Sequence, residues 1–228
     1  DSRFDGTTDR GRHYQPCGYN KSFMRIALGQ INTTVGDLVG NVDLMVRYAQ
    51  RAAAGGAELV VFPELSLTGY PPRDLVEKPS FVERAGNELR RLAAETAGIK
   101  ITIIAGAIAP SPAASGKSVV NCAVVLSGGE VIFTQQKMLL PTYDVFDEAR
   151  YFLPAECQSI ATIAGERVAL TICEDAWTDK QFWDRRLYRR DPVEELAGAG
   201  ARILVSINAS PYHMGKRELR REVFASTA

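Results

Sequence analysis

The run Leu59-Val60-Val61-Phe62-Pro63-Glu64 decides how this chain is read. Four successive apolar residues read as a buried strand. Pro63 stops it, having no N–H to give to a ladder, and a carboxylate is left just past the strand end. Upstream, Val42, Met45, Val46, Ala49 and Ala53 recur at the 3.6-residue period of a helix, with Asn41 as its cap and Gly55-Gly56 as its stop. Before that lies a short buried strand over 25–31. Downstream, Ser80 and Glu83 have the spacing of a capping box, opening a helix that runs to about Thr96 and closes at Gly98. Strands follow over 101–108 and 119–126. The second is joined through Ser127-Gly128-Gly129 to a strand over 130–136, a hairpin signal. An irregular stretch, 138–154, leads to strands over 159–163 and 167–172. Asp191-Pro192 supplies a cap and a first-turn proline for a short helix. A strand over 202–207 and a helix beginning near Gly215 end the chain. The alternation reads as one α/β domain over 24–228, with 1–23 a polar tail or extension that lacks the apolar stretch of a signal peptide.

Composition narrows the function. With 228 residues, 46% of them hydrophobic, the chain can bury a substantial core. Its 27 Lys and Arg cancel 27 Asp and Glu, which argues against a basic face for nucleic acid or an anionic membrane surface. No apolar run approaches the roughly 18–20 residues that span a bilayer. Cys17, Cys122, Cys157 and Cys173 form no CxxC pair, so neither a zinc cage nor a disulfide framework is indicated, and a reducing, cytoplasmic setting is expected. The only histidines are His13 and His213, so any base other than His213 must be a carboxylate or an amine.

Three reactive residues sit just past strands: Glu64, Lys137 and Cys173. Ligands of layered α/β folds gather beyond strand ends, so these residues can converge despite their separation in sequence. Taken singly each has a bland reading: a turn carboxylate, an exposed lysine, a packed cysteine. Their surroundings raise the functional reading. Glu64 opens Pro63-Glu64-Leu65-Ser66-Leu67-Thr68-Gly69-Tyr70-Pro71-Pro72-Arg73-Asp74-Leu75. Lys137 precedes Met138-Leu139-Leu140-Pro141, with Glu148 and Arg150-Tyr151-Phe152 beyond. Cys173 lies in Ile172-Cys173-Glu174-Asp175-Ala176-Trp177. Together these blocks resemble the nitrilase superfamily of carbon–nitrogen hydrolases, whose Glu–Lys–Cys triad fits all three positions. More narrowly, Gly69 to Leu75 and Cys173 to Trp177 are similar to the glutaminase domains of glutamine-dependent NAD synthetases. Asn208-Ala209-Ser210-Pro211 with Gly215-Lys216 resembles their next block.

The chemistry of such a triad is coherent by itself. A free thiol titrates near about 8.5 and is mostly neutral at pH 7. Glu64 can take its proton as sulfur attacks an amide carbon and return it to the leaving ammonia. Lys137 and the backbone N–H of Glu174 can face the developing oxyanion. The resemblance implies that Glu148 sits beside the catalytic lysine and helps orient and bind the substrate, and that Tyr143, Glu174, Ser210 and Lys216 belong to a glutamine pocket. It also implies a four-layer α-β-β-α sandwich whose final strands lie beyond residue 228, in a homo-oligomer. A further ligase domain would use ATP and Mg²⁺ to amidate deamido-NAD; no cofactor is expected on this chain. Two alternatives stay open: a free-standing amidase acting on another small amide, and an inactive fragment serving as an assembly module. Elsewhere, the basic run 185–190 reads as a solvated face, Cys122 as core, Cys157 as a loop cysteine without a partner, and Ala105-Gly106-Ala107 as small-residue strand rather than a phosphate loop.

Overall fold

Strands β1 (Ile26–Leu28), β2 (Leu59–Val61), β3 (Thr102–Pro110), β4 (Val119–Ser127) and β5 (Glu130–Gln136) form one sheet in sequence order, in a computed structural model that describes residues 24–228 other than Lys180 and Arg186. The first three run parallel and the last two return antiparallel through the expected hairpin. A second sheet contains β6 (Ile160–Ile163), β7 (Glu166–Ile172) and β8 (Ile203–Ile207), with β7 in the middle. The expectations for residues 1–23, His13 and Cys17 among them, lie outside the described residues.

The alternation of side chains along each strand explains the layers. On β4, Val120, Cys122, Val124 and Leu126 pack with helices α1 (Leu38–Ala54) and α2 (Pro79–Thr96), while Ala123 and Val125 face the second sheet. Leu59 and Ile104 join that inner layer and meet Val168, Leu170 and Ile172 of β7. Strands covered on both sides need apolar residues on both faces, hence the unbroken run at 59–62. Beyond the second sheet, α4 (Pro192–Gly198) packs on β7, and α5 (Lys216–Thr227) brings Phe224 edge-on to Trp177. The order is helix, sheet, sheet, helix: the four-layer sandwich expected.

Several local expectations change. The first strand spans three residues rather than 25–31, and it is not buried: Leu28 is 81% exposed. Among the described residues it is an edge strand, paired on one side only. Asp37, not Asn41, caps α1, accepting from Gly40 N at 3.0 Å. Asn41 is buried and instead ties two loops together, donating to the carbonyls of Thr34 and Leu67. The capping box at Ser80 does not form; Lys78 is the cap residue and Pro79 opens α2. At α4 the expected cap is present, Asp191 accepting from Glu194 N at 3.1 Å.

One glycine places the turn that carries Glu64. Gly106 N donates to the Pro63 carbonyl and to Ser66 Oγ, both at 3.2 Å, and the Gly106 carbonyl accepts from Leu67 N at 3.0 Å. A Cβ at Gly106 would lie 2.1 Å from Leu65 N and 2.5 Å from the Pro63 oxygen, backbone atoms that cannot swing aside. Gly106→Ala is therefore expected to destabilise the fold by about 1–3 kcal/mol, the usual cost of overpacking. Gly98→Ala, which meets nothing within 4 Å, is expected to be near neutral. Urea unfolding of both variants is the check, and equal midpoints would contradict this placement of the turn.

Candidate active site

Glu64 follows β2, Lys137 follows β5 and Cys173 follows β7, so two sheets deliver their strand ends to one place. Lys137 Nζ lies 2.8 Å from Glu64 Oε1 and 2.9 and 2.7 Å from the two carboxylate oxygens of Glu148. All three side chains are buried. Glu148 opens the single turn α3 (Glu148–Tyr151), fixed by its N–H to the Pro141 carbonyl at 3.1 Å. Tyr70 donates its hydroxyl to Glu148 Oε1 at 3.0 Å. Asn121 Nδ2 reaches Glu64 Oε1 at 2.9 Å, and the N–H of Ala209, after β8, reaches Glu64 Oε2 at 3.0 Å.

Cys173 starts a short 3-10 turn, Cys173–Ala176, with φ +47°. Leu65, directly after Glu64, also has positive φ, at +49°. Such backbone costs on the order of 1–3 kcal/mol per residue and persists where the surroundings enforce it. Asp175 is one enforcer. Its buried carboxylate accepts from Met138 N at 3.0 Å and Leu139 N at 2.8 Å, just after Lys137, and from Ile172 N at 3.2 Å, just before Cys173. Gln158 Nε2 completes the set at 2.9 Å.

Cys173 is packed against the inner layer yet also lines a cleft of about 70 Å³ with Tyr143, Glu174, Trp177, Ser210 and Lys216. Of the residues expected to bind substrate, Tyr143, Glu174, Ser210 and Lys216 line this cleft with Cys173, whereas Glu148 does not and lies instead with Glu64 and Lys137 in the electrostatic neighbourhood of the sulfur. Tyr143 donates its hydroxyl to both Glu174 oxygens, at 2.9 and 2.8 Å. Lys216 Nζ stands 4.3 Å from the Trp177 ring centroid, and Arg220 donates to Ser210 Oγ. His213 borders the cleft with its ring exposed, Nδ1 against the Met214 carbonyl. The basic run needs a correction: Arg185, Arg189 and Arg190 are exposed as expected, but Tyr188 turns inward. It packs against Met138, Leu139 and Ala155, within the electrostatic reach of Glu174. Sequence reasoning also missed Tyr70, Asn121 and Asp175. The only signal for Asn121 was one amide in an apolar strand, and for Asp175 one more acid beside Glu174.

Burial raises the Cys173 thiol well above its ordinary value, Glu64 adds to this, and Lys137 opposes it, so the resting sulfur is a neutral thiol. Burial would lower Lys137, but the carboxylates of Glu64 and Glu148 outweigh it and hold the ammonium charged. Burial pushes Glu148 up to about 7 against the pull of Lys137. Asp175 is pushed up to about 6 by burial, opposed by its backbone donors. Cys122 is buried core and Cys157 exposed; with Cys173, both are free thiols. Among the described residues, no group of His, Cys, Asp and Glu is placed to hold a metal ion.

The raised Glu148 gives a pH signature. Its folded value lies above its unfolded one, so its stabilising contribution is full below the usual carboxylate range and is lost as pH rises through about 7. Between pH 5 and 8 the protein is expected to lose stability relative to Glu148→Gln. Denaturant midpoints across that range are the measurement, and parallel curves would contradict the buried cluster.

The carbon–nitrogen hydrolase family profile matches residues 25–227. The chain is 40% identical over 206 residues to the glutamine-dependent NAD(+) synthetase of Synechocystis sp., covering 89% of this chain and 37% of that one. It is 36% identical over 209 residues to the Thermotoga maritima synthetase, covering 90% and 33%. The chain thus spans about a third of these relatives. Among solved structures, the glutamine-dependent NAD+ synthetase of Acinetobacter baumannii, bound to ADP, superposes with TM-score 0.73 at 28% identity, covering 88% of this chain and 35% of that one. An amidase from Nesterenkonia sp. AN1, carrying acrylamide added at its active-site cysteine, gives 0.66 at 25% identity, covering 86% and 70%. With two sheets meeting at buried Glu64, Lys137 and Cys173, and a profile matched from one end of the described residues nearly to the other, the chain belongs to the carbon–nitrogen hydrolase family.

Proposed function

We propose that this chain hydrolyses the side-chain amide of glutamine and supplies the ammonia to an ATP-dependent amidation of deamido-NAD to NAD. The observation that carries the reading is one cleft that joins the Cys173 thiol to Glu174 and Lys216, groups of opposite charge suited to the α-ammonium and α-carboxylate of an amino acid. The synthetase relatives support glutamine as the amide. The cysteine adduct in the Nesterenkonia amidase supports sulfur as nucleophile.

In this mechanism Cys173 sulfur attacks the amide carbon while Glu64 takes the thiol proton, so no free thiolate need accumulate. Charge that develops on the amide oxygen faces Lys137 and the Glu174 N–H, the latter in the first turn of a helix where backbone donors have no internal partner. The C–N bond breaks as Glu64 returns the proton, and ammonia leaves. Water, deprotonated by Glu64, then attacks the thioester to release glutamate and restore the thiol. Glu148 holds Lys137 charged and in place. ATP, Mg²⁺ and deamido-NAD belong to the rest of a longer protein in this reading, which also includes a cytoplasmic setting and a homo-oligomer. No helix among the described residues is long and apolar enough to cross a membrane. The amidase similarity, which covers 70% of that enzyme, favours one second reading: hydrolysis of another small amide.

Assays with glutamine and aliphatic amides separate these readings, and glutamine is expected to be strongly preferred. Cys173→Ala is expected to abolish glutamate release, and in the longer protein to spare ligation driven by ammonium salt. Glu64→Gln should be severely impaired because an amide cannot relay the proton. Lys137→Ala should lose on the order of 3 kcal/mol, roughly a hundredfold in rate. Near-normal glutamate release by Cys173→Ala would overturn the mechanism.

A further inference from the structure

Asn121 lies on β4 among Val119, Val120, Cys122, Ala123, Val124 and Val125, all buried and apolar, and is itself fully buried. Its side chain projects to the inter-sheet face shared with Ala123 and Val125. Its Oδ1 has no hydrogen-bond partner among the described residues. A valine there would fit the strand and avoid the cost of a buried, unpaired carbonyl. What the amide does instead is specific. Nδ2 donates to Glu64 Oε1 at 2.9 Å, the oxygen that also meets Lys137 Nζ, and the backbone carbonyl of Asn121 accepts from Lys137 N at 2.9 Å. One residue thus holds the side chain of the base and the backbone of the cation.

We propose that Asn121 is a positioning residue for Glu64, fixing the orientation of its carboxylate between Lys137 and Cys173. This rests on the reading of Glu64 as the proton acceptor. With Oε1 taken by Nδ2 and Nζ, and Oε2 receiving the Ala209 N–H, the carboxylate has a single orientation. A donor to the ionised form favours that form, so losing Nδ2 leaves Glu64 both freer to rotate and easier to protonate. The charged and titratable groups around Glu64 are Lys137 from the end of β5, Glu148 from α3, Tyr70 from the loop after β2 and Cys173 from the turn after β7. Only Lys137 opposes protonation by its charge, so the Asn121 donor is the neutral partner of that lysine.

The experiment compares wild type, Asn121→Asp and Asn121→Ala. The aspartate keeps the shape but offers no donor when ionised; the alanine removes the contact altogether. In glutamine hydrolysis both are expected to lose about 10- to 100-fold in kcat, the size of a charge-assisted hydrogen bond, with KM little changed. The acid limb of the pH profile should move upward by about one unit, further in Asn121→Asp, where a like charge is added. A purely structural role would lower the unfolding midpoint without moving that limb, and an unmoved limb in a folded variant overturns the proposal. The rate of Cys173 alkylation by iodoacetamide against pH is the second readout, with modified peptides resolved by mass so that Cys157 is counted apart. It reports base assistance to the thiol whatever amide is the substrate, so it still decides if glutamine is not cleaved. The same upward shift in alkylation supports the proposal, and superimposable wild-type and variant profiles reject it.

Discussion

A lysine ammonium buried between two carboxylates is the interaction on which the rest of this structure depends. Lys137 and Glu64 are 1% and 2% exposed, so neither charge is stable there without the other. Removing one member of such a pair typically costs about 3–5 kcal/mol, because the remaining charge is stranded. Glu148 makes the cluster one negative charge too rich; burial is the main cause of its upward shift to about 7, with the Glu64 charge adding to it and Lys137 opposing it. The fold surrounds the cluster with neutral donors. Asn121 and the Ala209 N–H hold Glu64, and Tyr70 holds Glu148.

Cys173 reaches this cluster from the other sheet, and Asp175 makes the connection. Its carboxylate gathers backbone N–H groups from directly after Lys137 and directly before Cys173, fixing the approach of two strand ends far apart in sequence. The strained φ values at Leu65 and Cys173 fall at the same junction. Packing there overrides local preference, the usual condition of a preorganised site. The neutral thiol then follows from geometry: sulfur in an apolar wall, with a carboxylate adding to its cost of ionisation, keeps its proton until an electrophile arrives.

The sequence showed the strands and the three reactive residues because their signals are local. An apolar run stopped by Pro63, a hairpin with Gly128-Gly129 and a strand ending at Ile172 each announce where a side chain leaves the sheet. Edge position is not local, so residues 25–31 read as buried although Leu28 faces solvent. Competing caps are decided by tertiary partners: Asn41 was claimed by loop carbonyls, leaving Asp37 to cap the helix. Asn121 and Asp175 were illegible for the same reason, since Asn121 acts 57 positions away and Asp175 36 and 37 positions away. Tyr188 was hidden by its arginine neighbours, whose charge spoke for a solvated face.

The proposed reaction has the Cys173 sulfur attack the amide carbon of glutamine and carry the acyl group as a thioester beside this cluster. Its most direct test is acid-quenched peptide mass spectrometry of the protein during glutamine turnover. The expected result is a glutamyl adduct on the peptide that carries Cys173, discharged as glutamine is exhausted and absent from Cys122 and Cys157. Glutamate release with Cys173 unmodified at every quench time, and an adduct on another residue, would contradict it.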